Sequence, residues 1–477
     1  MLRIIIEKEI KDLIGSTKFA ITFAVCAVLV ILAFYVGAAR HKSYQARFEA
    51  SQAENLRSMK GLTDWQELDE TRVFLPPQPL ASLVSGVSND IDGTAIVRGR
   101  GDIPTEDSRY NEDPVFAIFR FIDLEFIFKV VLSLFAVLLG YDAISGEKER
   151  GTLRLSFSNA LPRRTYIVGK LAGSFLGLMV SLLVTISLGF LLLTVMGISM
   201  DGEAWVKLIL IVITGLLYVG VFLSLSIFIS SLTHRSANSF LISLAVWVLC
   251  IHVIPGISTL MAARSVTVPS SDEIAYQKST LGTQLAEEFD EGMSRFAVKG
   301  GYDPDSLVKQ LNGFIDSLND VRDIKMQAFS ARLTEDRLNR QRTQENLAFA
   351  LARISPATSL SLATAHLAGT SLDMKSRFAD QARDYQKSFG NFMVEKTGMN
   401  TGGIIKIRTS KSCGGGGGDE DEKQEPINPE ELPKPTLSSF TLGESIDPAL
   451  TDLGILILYN FLFFAGAFVA FLRYDLR

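Results

Sequence analysis

The sequence predicts an all-α membrane protein. It has six transmembrane helices, an N-terminal interfacial helix, a largely helical extracytoplasmic insert and a smaller mixed or irregular extracytoplasmic segment. Three observations predict this. Six apolar runs recur along the chain, and ~20 apolar residues at 1.5 Å rise cross the ~30 Å hydrocarbon layer. The charges of the loops between them segregate by sign. The long polar stretches carry apolar residues at helical spacing. Although 47% of the 477 residues are hydrophobic, that figure averages these runs with segments rich in Glu, Asp, Lys, Gln and Asn.

Residues 1–18 form an amphipathic stretch. Leu2, Ile5, Ile6, Ile10, Leu13 and Ile14 recur at helical spacing, with Arg3, Glu7, Lys8, Lys11 and Asp12 on the other face. With an apolar run following at once, the reading is a helix lying in the inner interface; a packed cytoplasmic helix is the alternative. Span one covers 19–38. Its apolar part is long for a signal peptide, and Val36-Gly37-Ala38 is a weak cleavage-like triplet. The segment 39–125 has Pro76-Pro77-Gln78-Pro79 and turns at Asn89-Asp90-Ile91-Asp92-Gly93 and Gly99-Arg100-Gly101, the marks of a small irregular domain.

Spans two to five occupy 126–260, with a charged loop at 144–170. Residues 261–410 are helical by pattern. One helix covers about 272–298, Gly300-Gly301 and Pro304 break it, and a second runs from about Asp305 to Ile354. Ser355-Pro356 restarts the chain as cap and first-turn proline. The Ala/Leu stretch at 357–369 is too short to cross a bilayer, so it lies along the interface or packs on the spans. Residues 411–436 combine Cys413, the tract Gly414–Gly418, the acids 419–422 and Pro433-Lys434-Pro435, a disordered linker by composition. A connector at 437–452, span six at 453–472 and a tail at 473–477 complete the chain.

The loop after span two carries Lys148, Arg150, Arg154, Arg163, Arg164 and Lys170, whereas the loop after span three carries Asp201 and Glu203. By the positive-inside rule the basic loop and both termini are cytoplasmic, and the protein is a multi-pass protein of the cell (inner) membrane.

No catalytic site is legible. Gly169-Lys170 resembles the end of a phosphate-binding loop, but Arg164 stands where its first glycine belongs and Leu171 follows the lysine. The chain is therefore not expected to hydrolyse ATP itself, and is no enzyme. Its histidines, at 41, 234, 252 and 366, have no metal-ligand spacing, and no nucleophile elbow appears. The net charge of −5 argues against a nucleic-acid partner. Three cysteines give no disulfide framework; Cys413 is a linker thiol or an interchain pair.

Polar groups inside spans are candidates for a transport pathway. Here these are His252 and Asn460, for which helix packing is the competing and favoured reading. Gly169, Gly173 and Gly177 lie on one helix face, where a neighbouring backbone can approach closely.

The loop itself reads Glu147-Lys148-Glu149-Arg150-Gly151-Thr152-Leu153, then Pro162-x-Arg164, then Gly169-Lys170 opening span three. With six spans and an interfacial N-terminal helix, it resembles the permease subunits of type-2 ABC exporters. Within them it resembles a subgroup with a large insert between spans five and six, to which Arg353-Ile354-Ser355-Pro356 is similar.

The resemblance implies a coupling helix at about 144–158 that docks on a separate ABC ATPase subunit. It would dock through Glu147, Lys148, Glu149, Arg150, Gly151, Thr152 and Arg164, with ATP and Mg on that partner. It also implies a second permease chain, identical or related. Two further readings stay open: a mechanotransmission complex acting on an envelope protein through 261–410, and a membrane receptor or sensor.

Overall fold

The computed structural model describes residues 2–86, 93–99, 123–153, 157, 162–297, 304–397 and 427–474. The turns expected at 89–92 and 100–101, Gly300-Gly301, Cys413, most of the glycine-acid linker, Arg154 and the last three residues lie outside them. Among the described residues, six helices are long and apolar enough to cross a membrane: Thr17–Met59, Leu124–Glu149, Arg163–Val195, Gly202–Leu232, Ser236–Ser265 and Leu442–Arg473. They are spans one to six below.

Helix α1, Leu2–Ile14, precedes span one. Ser16 caps span one by accepting from Phe19 N at 3.2 Å. Its buried stripe, Phe19, Cys26, Val30, Phe34 and Gly37, faces the bundle, while Ile21, Val25, Val28 and Leu32 are exposed on the opposite face. The helix is 43 residues long, about 65 Å, so it continues past the apolar stretch as a polar stalk.

Span four lies at the centre of the bundle, with nineteen of its residues buried from Lys207 to Ser231. Gly215 receives the ring of Phe128, and Gly220 receives Phe175 and Asn460. Phe128 belongs to a π-helical turn, Ile127–Leu132 in span two, whose Lys129 carbonyl accepts from Tyr218 Oη at 2.9 Å. A second π turn, Leu249–Val253, interrupts span five. Gly215→Ala would place a Cβ 2.6 Å from the fully buried Phe128 ring. The expected loss is about 1–3 kcal/mol, the usual effect of overpacking, read as a lower melting temperature in detergent.

One face of the bundle, the terminal face, gathers α1, the short helix α2 (Ser145–Glu149) and Tyr474. The opposite face carries the insert. There α3 (Ser271–Ser294) packs on α4 (Pro304–Ala352), with Lys325 paired to Glu288. Helix α5, Pro356–Ala368, is capped by Ser355 and ended by Gly369 at φ +71°, a left-handed position that glycine fills without strain. Its buried residues Leu360, Ala363, Thr364 and Leu367 pack against spans four and six.

The segments after span one and after span five share a core. Strands β1 (Glu70–Phe74) and β2 (Thr94–Arg98) pair antiparallel, Val73 opposite Ala95. Helix α6, Asp373–Thr397, lays Met374, Phe378, Ala382, Tyr385, Phe389 and Met393 along one face. All but Met374 join Met59, Leu68, Val73, Val97 and Leu432 in a second hydrophobic core.

Candidate functional site

The charged loop is held by the ends of spans four, five and six. Ser230 of span four caps α2, its Oγ accepting from Ile144 N at 3.0 Å and Ser145 N at 2.9 Å. Lys148 Nζ donates to the carbonyls of Ser231 and, at 3.1 Å, Thr233, and lies 4.3 Å from the Tyr474 ring centroid. It thus satisfies carbonyls at the end of span four, where a cation also meets the negative pole of the helix. Glu149 does the complementary job at span five, accepting from Ser236 N at 3.0 Å and Ser236 Oγ at 2.8 Å. Arg163 Nη1 donates to the carbonyls of Leu472 (3.2 Å) and Tyr474 (3.0 Å), closing the end of span six.

Beneath α2 is a buried ionic cluster. Lys170, 4% exposed, donates to Glu147 Oε1 at 2.7 Å and Glu9 Oε1 at 3.1 Å. Tyr166 donates its hydroxyl to the other oxygen of Glu147. The Tyr166 ring stacks on Phe471 of span six at 5.4 Å, with Phe157 against both. One lysine therefore joins α1, α2 and span three, and one tyrosine extends the link to span six. A buried cation between two carboxylates holds position well, because breaking any one pair leaves a charge without compensation.

The glycine face of span three meets α1. A Cβ on Gly169 would fall 2.7 Å from Ile5, one on Gly173 2.7 Å from Glu9 Cβ and 3.3 Å from the Ile6 carbonyl, and one on Gly177 3.3 Å from Leu13. Packing on span three thus occupies much of the apolar face of α1 that the sequence assigned to the lipid interface. Ile4, Ile14 and most of the charged residues remain exposed.

The seven loop residues singled out by sequence divide into two groups. Glu147 and Lys148 turn inward, whereas Glu149, Arg150, Gly151, Thr152 and Arg164 are exposed on the terminal face. Gly151 sits at φ +73° and turns the chain at the tip of the loop. Asn460 Nδ2 donates to the Leu217 carbonyl of span four at 2.9 Å and to Leu456 O at 3.0 Å, so its amide fastens spans four and six. His252 is exposed on the surface of span five, its ring 6.3 Å from Trp247.

Sequence reasoning missed Glu9, Tyr166, Ser230 and Tyr474 as partners of the loop. Only Glu9 left a signal, as an acid on the otherwise apolar face of α1. A comparison with curated proteins found no match. The family model described as ABC-2 family transporter protein matches residues 3–476, nearly the whole chain. Six apolar helices, the clamped charged loop and this match give one conclusion: the chain is a multi-pass membrane protein of the ABC-2 transporter family.

Proposed function

We propose that this chain is the permease subunit of an ATP-driven exporter in the cytoplasmic membrane, with both termini cytoplasmic. A separate ABC ATPase subunit docks on the terminal face. ATP and Mg are held there, and a second permease chain, identical or related, completes the pathway. The observation that carries the reading is the division of the charged loop. Its exposed tip, Glu149–Thr152 with Arg164, offers a partner charged groups and a protruding turn. Its inward-turned root is tied to α1 and spans three, four and six, and Glu149 at the base of the tip is tied to span five.

In this reading the exposed charges set register on the ATPase, and Glu147 and Lys148 transmit its movement inward. A push on the tip reaches five elements through fixed side-chain contacts, which is how a small docking shift becomes a rearrangement of packed helices. Arg150→Glu combined with Arg164→Glu reverses two exposed charges and touches none of the buried contacts. The expected result is normal membrane insertion, loss of the co-purifying ATPase and loss of transport. Retention of the ATPase by this variant in a gentle-detergent pull-down would sink the docking assignment.

The mechanotransmission reading has one specific observation in its favour: span six continues unbroken from the terminal face into the insert.

A further inference from the structure

Span six is fixed by directional contacts at both ends. At the terminal face Phe471 stacks on Tyr166, and Arg163 holds the Leu472 and Tyr474 carbonyls. Midway Asn460 ties it to span four. On the insert side Asp452, wholly buried, accepts from Arg353 Nε at 2.7 Å and Nη2 at 3.1 Å. Two turns on, on the same face, Tyr459 Oη donates to the carbonyls of Ile354 (2.6 Å) and Arg353 (3.2 Å). The helix then begins at a capping box of Thr441 and Glu444, and Arg377 of α6 grips Glu444 at 2.6 Å.

Residues 353–355 form a hub. Arg353 and Ile354 are held by span six, and Ser355 Oγ donates to the carbonyl of Cys250 in the π turn of span five. From this hub α4 projects 49 residues, about 70 Å. A planar two-bond guanidinium–carboxylate pair fixes orientation as well as distance, so rotation of span six is passed to the hub, and α4 converts it to a larger displacement at its far end.

We infer that span six is the shaft that carries movement of the coupling loop to the insert, with the Arg353–Asp452 pair as its output joint. ATP turnover on the terminal face thereby moves α3 and α4 on the other side of the membrane. The inference rests on the ATPase reading above and goes further: the insert is a driven part.

The test uses the native complex in lipid nanodiscs, with Cys413→Ser and pairs of spin labels. One pair, at Lys11 and Asn238, reports the terminal face; the other, at Leu56 and Val321, reports the insert. ATP with vanadate is expected to change both distances. Asp452→Asn, of equal size, is expected to keep the ATPase rate and the terminal-face change while abolishing the insert change. Tyr459→Phe removes one hydroxyl and is expected to diminish it. The exchange Arg353→Asp with Asp452→Arg is expected to restore it in part, which a merely structural pair would not do for movement. An insert that stays still in the parent complex, or moves equally with Asp452→Asn, overturns the inference alone. A terminal-face pair that ignores ATP overturns the ATPase reading and this inference with it.

Discussion

Lys170→Met is expected to destabilise the folded protein by about 3–5 kcal/mol, the usual result of removing one partner from a buried ionic cluster. Lys170 is 4% exposed and lies between Glu9 and Glu147, whose side chains are 13% and 21% exposed. Without it two carboxylates face each other with no cation between them, and Glu147 keeps one of its two side-chain hydrogen bonds, from the Tyr166 hydroxyl. The melting temperature in detergent should fall, and ATP-dependent transport should be lost. The triple variant Glu9→Gln, Glu147→Gln, Lys170→Met removes all three charges together. It should recover most of the melting temperature, since uncharged replacements of buried ion pairs are often neutral. Transport should stay low, because the fixed link between α1, α2 and span three is gone. A single Lys170→Met variant that melts like the parent protein would refute the cluster as described.

The second large effect is expected at Gly173. Leucine there is a better helix former than glycine, so span three itself gains. The side chain has no room, however: its Cβ would already stand 2.7 Å from Glu9 Cβ and 3.3 Å from the Ile6 carbonyl. Because the second of these is backbone, α1 has to leave the face as a unit. The penalty is at least the ~1–3 kcal/mol of ordinary overpacking, and Lys170 loses Glu9 as well. Hydrogen exchange measures this directly. Amides of residues 2–14 should exchange faster in Gly173→Leu while span four keeps its protection. Unchanged protection of α1 would contradict the packing.

The reach of the sequence differs from place to place. The six spans were plain because a run of some twenty apolar residues has few other uses in a chain of this kind. The stripe of Gly169, Gly173 and Gly177 announced a close approach, but glycine spacing describes a surface and says nothing of what covers it. Its partner, α1, lies about 160 residues earlier, as Lys170 and Glu9 do. The family resemblance put Glu147 among the docking residues of the loop. Its inward turn depends on Lys170, 23 residues on and in another helix.

The amphipathic period of α6 was present in Met374, Phe378, Ala382, Tyr385, Phe389 and Met393, yet its many charges hid it. The union of the segments after span one and after span five was not legible at all. It rests on contacts such as Gln386 Nε2 to the Arg98 carbonyl at 3.0 Å, 288 residues apart, and no local pattern encodes a pairing of that range.

In the proposed function the exposed tip of the loop between spans two and three receives an ATPase. A photo-crosslinking residue at Thr152, which is exposed on that tip, tests it most directly in intact cells, with a second at Tyr276 of α3, 73% exposed, as control. The Thr152 adduct is expected to contain a protein with a phosphate-binding loop, and the Tyr276 adduct is expected to lack it. A Thr152 probe that captures no such protein, or a Tyr276 probe that captures it, would rule out ATPase docking at this tip.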